Sequence, residues 1–244
     1  MNWRFLAVAA AVNAALAAVS FAAGAVNVSG VIGGFAVGLV ILYCGGWGAF
    51  GILLLFFVLG SAATKLGYRR KAALGVAQEE RGRRGARHAL ANCGAPAVAA
   101  LIYFFGARAG WESLGWVMAA FTGAFATALF DTVSSEIGQL YGKHPFLITT
   151  LRPVPVGTDG AVSVEGTAAG LAAAGLMAAG AACLGLFGAW GILFVTAGAF
   201  IGTTFESIIG ALCSGRRINN ELLNFVNTVV GGAAAGFAAY LFGA

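Results

Sequence analysis

The sequence predicts an all-α, polytopic membrane protein that forms a single integral membrane domain over residues 1–244. Of its 244 residues, 60% are hydrophobic and only 9% are charged, and the mean hydropathy is +0.89. A water-soluble domain carries about 25% charged residues, so this composition excludes a soluble fold. Apolar runs of roughly 20 residues, the length of a helix that crosses a bilayer, recur along the chain.

About eight membrane-spanning helices are expected. The first is interpreted as a span rather than a cleaved signal peptide, because further apolar sequence follows it directly. The second is short, which leaves a half-spanning segment open as an alternative. Glycines four residues apart predict close helix packing within the chain, with a homo-oligomer left open. The spans lie near residues 4–24, 28–44, 47–65, 89–107, 113–133, 166–186, 189–212 and 222–242, and the glycine pairs are Gly34/Gly38, Gly166/Gly170, Gly198/Gly202 and Gly232/Gly236.

Basic residues concentrate in the segments that follow the third, fifth and seventh spans. Short loops rich in Lys and Arg stay in the cytoplasm, so these three segments are predicted to be cytoplasmic. Only Arg4 and Arg108 fall on the other side, and an even number of spans places both termini there. The basic residues are Lys65, Arg69, Arg70, Lys71, Arg81, Arg83, Arg84, Arg87, Lys143, Arg152, Arg216 and Arg217.

Acidic residues stand inside otherwise apolar stretches, namely Asp131 and Glu136 in the fifth span and Glu206 in the seventh. A carboxylate at membrane depth is costly and marks a functional site, although an interhelical ion-pair network is a second explanation. On a continuous helix Asp131 and Glu136 lie about 140° apart, so one ion meets both only if the helix ends or unwinds there. Carboxylate and hydroxyl oxygens suit magnesium and not zinc or copper.

Three further polar segments suit a phosphate ligand. The arginines of the GRRGAR sequence at residues 82–87 match phosphate oxygens in two-point contacts, but they also fit a topology signal or contacts with anionic lipid. The glycines and hydroxyls of residues 157–167 fit either an anion site at a helix start or a turn with an N-cap. Asn219, Asn220, Asn224 and Asn227 surround the start of the last span, and the last three share one helix face.

Several common sites are missing from the sequence. The GQLYGK sequence at residues 138–143 has the wrong spacing for a phosphate-binding P-loop. The four cysteines are far apart, and no His/Cys cluster suggests zinc. Nucleic acid is a poor partner because the basic residues lie in membrane-tethered loops without a fold that reads bases.

These motifs together resemble the phytyl-phosphate kinase family, membrane enzymes of the vitamin E pathway in plastids and cyanobacteria, and its wider family of uncharacterised membrane proteins. The likeness covers most of the chain from the third span onward, whereas the first two spans match only in being apolar. It implies a bacterial inner membrane or photosynthetic membrane location. The matching pieces are GSAATKLG (60–67), KAALGVAQEERGRRG (71–85), DTVSSEIGQLYGK (131–143), GTDGAVSVEGTAAG (157–170), ESIIGA (206–211) and NNELLNFVN (219–227).

The resemblance implies transfer of a phosphoryl group from a nucleoside triphosphate, expected to be CTP, to a phytyl-like prenyl monophosphate at the cytoplasmic membrane edge. The product is the prenyl diphosphate, and membrane lipid surrounds the protein. Because the attacking phosphate oxygen is already anionic, positioning and charge neutralisation by Mg²⁺, Lys and Arg take the place of a strong base.

We assign roles in this reaction as hypotheses. Asp131 and Glu206 are the expected metal pair, with Glu136 third, and Asp131, Glu136, Lys65 and Arg84 are the expected catalytic residues. Thr158, Ser163 and Glu165 are expected to complete the cavity. The residues expected to bind substrate or nucleotide phosphates are Arg83, Arg87, Lys143, Thr158, Ser163, Asn219, Asn220, Asn224 and Asn227.

Three other activities stay open. A prenol kinase or a cytidylyltransferase that forms a CDP-lipid would use similar groups, and the products separate them from the prenyl-phosphate kinase. A transporter of an anionic solute also uses buried acids and basic residues. Clustering of the polar motifs on one side argues against transport, because a pathway needs polar residues across the full membrane thickness.

Overall fold

A computed structural model describes residues 2–78, 82–213 and 219–243, and Arg81, Arg216 and Arg217 of the predicted basic segments lie outside these ranges. Within them the named secondary-structure elements are helices apart from one two-stranded hairpin, which confirms the all-α membrane fold. The elements are α1 (Trp3–Ala22), α2 (Val28–Lys65), α3 (Tyr68–Ala73), α4 (Ala86–Arg108), α5 (Gly115–Tyr141), β1 (Phe146–Leu147), β2 (Ala161–Val162), α6 (Val164–Cys183), α7 (Trp190–Leu212) and α8 (Asn220–Phe242).

Four helices begin at a side chain that accepts a hydrogen bond from the first helical turn. Asn2, Asn27, Ser163 and Asn219 cap α1, α2, α6 and α8, at 3.2, 2.9, 3.1 and 3.1 Å from the donor nitrogens. Each cap satisfies a backbone N–H that has no partner within the helix. The amides and hydroxyls at these boundaries therefore have a structural use in addition to any role in binding.

Helix α2 contains both the second and the third predicted spans and folds back on itself at Gly46. Gly46 has φ 74° and ψ −172°, a conformation outside the helical region. In a straight helix Gly30 and Gly60 would be about 45 Å apart. Both instead pack against Arg84: a Cβ atom at Gly30 would overlap the Arg84 carbonyl oxygen, and one at Gly60 would lie 2.7 Å from a guanidinium nitrogen. The two halves therefore run antiparallel.

Seven helices in the described ranges are long and apolar enough to cross a membrane, and all of the helices except α3 belong to this set. Because α2 crosses twice, these seven helices provide eight crossing segments. The predicted number agrees with this geometry, and the short second segment is the first half of a hairpin that ends at Gly46. Helix α5 ends later than predicted, at Tyr141 and not near residue 133, and has no break at Asp131 or Glu136.

One end of the bundle collects most of the polar sequence and is called the basic end below. There α1, α2, α5 and α7 finish and α4, α6 and α8 begin. The β1–β2 hairpin lies in the connection between α5 and α6, with Phe146 paired to Val162. This connection reaches back to α7, since Cβ atoms at Gly160 and Gly210 would press on the facing backbone.

Helix α5 forms the centre of the bundle. It contacts α2, α4, α6, α7 and α8, and its side chains from Val117 to Phe130 are almost all buried. Phe121 and Phe125 are fully buried, and Phe125 packs on Phe56 of α2 at a ring-centroid distance of 5.3 Å. The central position of α5 places any polar group on its last turns next to several other helices.

Aromatic residues mark the opposite end of the bundle. All five tryptophans of the chain lie there, at helix starts, at the corner of α2 or in the turn before α5. Trp111 stacks on Trp116, which in turn meets Tyr240 edge to face. Tryptophan and tyrosine favour the membrane–water boundary, so this end fits an interfacial belt. The five residues are Trp3, Trp47, Trp111, Trp116 and Trp190.

Candidate functional site

Three helices bring together a group of polar side chains at the basic end, called the acid–amide cluster here: Asp131 of α5, Glu206 of α7, and Asn224 and Asn227 of α8. The carboxyl groups of Asp131 and Glu206 approach within side-chain hydrogen-bonding range. The Asn227 amide donates to Glu206 Oε2. With its nitrogen turned toward these acceptors, Asn224 donates to Glu206 Oε1 at 3.0 Å and to the Asn220 carbonyl at 3.2 Å.

Small residues allow these helices to approach so closely. A Cβ atom at Gly202 of α7 would lie 2.7 Å from the Asn227 carbonyl oxygen, and one at Gly198 would lie 2.6 Å from the Gly231 carbonyl oxygen. A Cβ atom at Gly231 of α8 would overlap the hydroxyl of Thr127 on α5. Glycine at these contacts lets backbones pack directly. The contacts lie one or two turns from the acid–amide cluster and set its dimensions.

The donor set of the cluster fits a magnesium ion. Two carboxyl groups in contact repel each other unless a proton or a cation lies between them. Asn227 is 1% exposed, and its Oδ1 atom has no hydrogen-bond donor within the described residues. That oxygen is an available third ligand. Magnesium typically uses one or two carboxylates and takes water and substrate phosphates for the remaining positions.

The described residues contain no group of three or more His, Cys, Asp or Glu side chains that could hold a metal ion. The pairing of Asp131 with Glu206 is the arrangement expected from the sequence, and their role as metal ligands stays a prediction.

Glu136 occupies a different place from the acid–amide cluster. It is 2% exposed and forms a salt bridge with Lys71, which is 0% exposed. Because α5 is continuous, Asp131 faces α7 while Glu136 faces α2 and α3. Glu136 still interacts electrostatically with Asp131. The ion-pair network considered from the sequence is present for Glu136, and its catalytic and metal-binding roles stay predictions.

Lys71 is the residue of this region that the sequence did not single out. Besides Glu136, its ammonium group donates to the carbonyl oxygens of Thr64 at 2.8 Å and Ala63 at 3.4 Å, at the C-terminal end of α2. A cation is favourable at that end of a helix. Lys71 is 65 residues from Glu136 and lies on the short helix α3. No local periodicity identifies such a contact.

Arg84 differs from the other predicted cationic contacts because it is half-buried. Its guanidinium lies 5.3 Å from the centroid of the Phe56 ring and packs over Gly60. Burial lowers the pKa of Arg84 from its usual range, and electrostatic interactions with Cys93 and Glu136 oppose this effect. Within the described ranges the guanidinium makes no salt bridge, so it is available for an anion.

The remaining predicted cationic contacts lie around the basic end of the bundle. Lys65, Arg83, Arg87 and Lys143 are exposed, and Lys65 Nζ lies 3.5 Å from the Ala23 carbonyl oxygen. These four cations form a positively charged rim, and within the described residues they make no hydrogen bond or salt bridge to the acid–amide cluster.

Residues of the α5–α6 connection and the start of α8 have local structural contacts. The Thr158 hydroxyl donates to the Pro155 carbonyl at 2.8 Å, Ser163 caps α6, and Asn219 caps α8. Glu165 lies in the first turn of α6, where an acid is favourable. Of the residues in this paragraph, only Asn220 contacts the acid–amide cluster, because its backbone carbonyl accepts a hydrogen bond from Asn224. The phosphate-binding roles of Thr158, Ser163, Asn219 and Asn220 stay predictions.

Comparison with known proteins connects the chain to membrane proteins from three kinds of organism. Residues 11–238 match a family described as integral membrane protein DUF92. An uncharacterised membrane protein of Synechocystis sp. is 42% identical over 81% of this chain and 76% of its own length. Protein VTE6, chloroplastic, of Arabidopsis thaliana is 35% identical over 86% of this chain, which spans 64% of that protein. An uncharacterised membrane protein of Methanocaldococcus jannaschii is 36% identical over 83% of this chain and 81% of its own length. No solved structure matches the chain significantly.

Proposed function

Because the chain belongs to the DUF92 family of integral membrane proteins, we propose that it is a nucleoside-triphosphate-dependent kinase of a prenyl monophosphate. The resemblance of its polar motifs to phytyl-phosphate kinases supports this proposal, as does the likeness to Protein VTE6. In the proposed reaction CTP or another triphosphate is the donor and a phytyl-like monophosphate is the acceptor.

The observation that carries the proposal is the acid–amide cluster. Asp131 and Glu206 come from two helices and meet beside the unpaired Asn227 Oδ1, at the same end of the bundle as Arg84 and the exposed cations. A metal-bound triphosphate needs acidic and amide oxygens for its ion and cationic side chains for its phosphates. Both sets of groups are available at one membrane edge, where a lipid phosphate would also lie.

The chemistry requires little from a general base. An oxygen of the acceptor phosphate attacks the γ-phosphorus, the bond from that phosphorus to the β–γ bridging oxygen breaks, and the nucleoside diphosphate leaves with that oxygen. Magnesium, when bound, neutralises charge on the β- and γ-phosphates. Asp131, Glu206 and Asn227 would hold it. Arg84, with the rim cations Lys65, Arg87 and Lys143, would orient the two substrates and stabilise charge on the transferring group.

The test is a product analysis with purified protein in nanodiscs. The protein is incubated with Mg²⁺, a panel of prenyl monophosphates and each of CTP, ATP, GTP and UTP, and products are identified by mass. We expect a prenyl diphosphate and a nucleoside diphosphate in equal amounts, with loss of activity in EDTA and recovery on return of Mg²⁺. Absence of any diphosphate product from folded protein, over the whole panel, would contradict the proposal.

Other products would indicate the alternatives. Release of pyrophosphate with a CDP-linked lipid would indicate a cytidylyltransferase, and a monophosphate formed from a free prenol would indicate a prenol kinase. Uptake of an anionic solute into proteoliposomes without nucleotide consumption would indicate a transporter. The nanodiscs and the proteoliposomes are made from the same purified protein, so a failure of folding affects all arms alike and is recognised.

A further inference from the structure

A narrow apolar groove runs between the two halves of α2 and the first half of α4. Its walls are almost entirely apolar, and its polar end carries Arg84 and His88. From Gly85 to Cys93 it is about 12 Å long at the rise of an α-helix. The walls include Gly34, Val37, Leu53, Phe57, Ala89 and Cys93. The groove therefore begins at the basic end and extends into the apolar part of the bundle.

Gly34 lies in an exposed and unfilled part of the groove. In the described part of the chain, a Cβ atom at Gly34 would meet no heavy atom within 4 Å. The expectation that paired glycines bring helices into contact is confirmed at Gly38, where a Cβ atom would overlap the Asn13 side chain, but it is wrong at Gly34. Because glycine has no side chain, this part of the groove stays unfilled. An unfilled apolar concavity loses dispersion contacts, so an apolar ligand that fills it gains them.

The polar end of the groove favours a negatively charged head group. Arg84 is held there by the Phe56 ring and Gly60 and has no acidic side chain in salt-bridge contact within the described residues. His88, in the first turn of α4, lines the same end. A guanidinium fork matches the oxygens of a phosphate group. A single groove with one fixed arginine at its end suits a lipid with one chain and a terminal phosphate.

The groove and the acid–amide cluster both reach the basic end of the bundle. Glu136 interacts electrostatically with Arg84 on one side and with Asp131 on the other. A phosphate bound at Arg84 would therefore lie at the same end of the bundle as the proposed triphosphate site. A chain longer than the groove would continue between α2 and α4 toward the surrounding lipid, because the exposed side chains of those helices are apolar.

We propose that this groove binds the isoprenoid chain of the lipid monophosphate acceptor, with its phosphate on Arg84. The inference deepens the proposed function, since it assigns the acceptor a binding site. Gly34 is the residue that leaves space for the chain, and the separation of the α2 halves limits the width of the chain that enters. Branched, single-chain lipids are the expected ligands, and two-chain phospholipids are not.

The test maps binding without depending on phosphoryl transfer. Purified protein in nanodiscs is irradiated with farnesyl monophosphate that carries a diazirine in its last isoprene unit, and labelled peptides are identified by mass. We expect label on residues 34–37, 53–57 and 89–93. Gly34→Leu fills the groove and should lower labelling by about tenfold or more. Gly175→Leu is the matched control, because a Cβ atom at Gly175 of α6 meets only Thr196, at 4.0 Å.

Competition identifies the ligand chemistry. Unlabelled farnesyl monophosphate should displace the probe more effectively than farnesol, and Arg84→Gln should remove that difference while farnesol binding persists. Label outside the groove, or equal labelling of Gly34→Leu and wild type, would overturn the inference. Equal displacement by phosphatidic acid would also overturn it, by indicating a site for membrane phospholipid. Label in the groove of a protein that makes no prenyl diphosphate would support the groove and reject the kinase.

Discussion

At the scale of single residues, the carboxyl group of Asp131 is the one on which the proposed chemistry depends most. It meets Glu206 from another helix, and Glu206 is already held by two asparagines. Asp131 therefore has the least constrained carboxyl group of the pair. A ligand ion would bind between the two acids and reduce their repulsion, which couples ion binding to the packing of α5 against α7.

Replacing Asp131 with Asn should abolish most activity while the fold is retained. We expect a decrease of about 100-fold or more in the rate of phosphoryl transfer, or about 2.7 kcal/mol, because charge stabilisation at the triphosphate is lost. Stability without Mg²⁺ should not fall, since the substitution removes a like-charge contact. Turnover and thermal unfolding are measured together. Glu112→Gln, an exposed acid at the opposite end, is the control, and an Asp131→Asn protein with normal turnover would contradict the metal assignment.

The pair of Lys71 and Glu136 should behave as a structural unit. Lys71→Met leaves a buried carboxylate without its partner and should cost about 3–5 kcal/mol of unfolding free energy. Adding Glu136→Met should recover most of that loss, because an ion pair replaced by apolar groups of similar size is often neutral. Unfolding in mixed micelles measures both effects. If the double variant recovers stability and still transfers phosphate, Glu136 has no catalytic or metal-binding role.

At the scale of elements, the corner of α2 determines where the groove lies. Gly46 adopts φ 74° and ψ −172°, a region that residues with a side chain rarely adopt. The fold-back brings Gly30 and Gly60 to the same arginine and places the two halves against α4. A straight α2 would have neither the groove nor a position for Arg84.

Gly46→Ala tests this corner. In the described residues a Cβ atom at Gly46 meets nothing within 4 Å, so any loss comes from the backbone conformation alone. We expect a loss of about 1–3 kcal/mol in unfolding free energy. Gly34→Ala, on the same helix and also with free space, should be neutral or stabilising because alanine favours a helical conformation. Equal effects of the two substitutions would show that the φ angle of Gly46 is unimportant for stability.

At the scale of the whole molecule, the helices place most of the described basic residues and the acid–amide cluster at one end, and the start of α1 and the end of α8 at the other. The basic end is predicted to be cytoplasmic. His144→Cys and Gly188→Cys, introduced singly after replacement of the four native cysteines, test the prediction with a membrane-impermeant thiol reagent. Gly188→Cys should react in intact cells and His144→Cys only after permeabilisation, and the reverse pattern would invert the orientation.

Much of this arrangement was accessible from the sequence because composition and apolar length decide the class of fold. The boundaries of the apolar segments predict eight crossings. Because the fifth and seventh spans cross the membrane in the same direction, their last turns, with Asp131 and Glu206, are predicted at the same membrane face. The sequence did not predict that the two halves of α2 are joined directly at Gly46 with no intervening loop, since Gly45 and Gly46 resemble any short break between spans. The contact between Lys71 and Glu136 and the gap at Gly34 were also missed, because local spacing carries no information about distant partners or unfilled space.

The uneven distribution of tryptophan has a practical consequence for spectroscopy. All five indoles lie at the end away from the acid–amide cluster and the rim cations. Intrinsic tryptophan fluorescence therefore reports on the lipid–water boundary at one membrane face. It does not detect direct contact between the protein and a nucleotide at the other face. An emission change on addition of Mg²⁺ and nucleotide would have to be transmitted along the full length of the bundle, so it would measure long-range conformational coupling instead of occupancy.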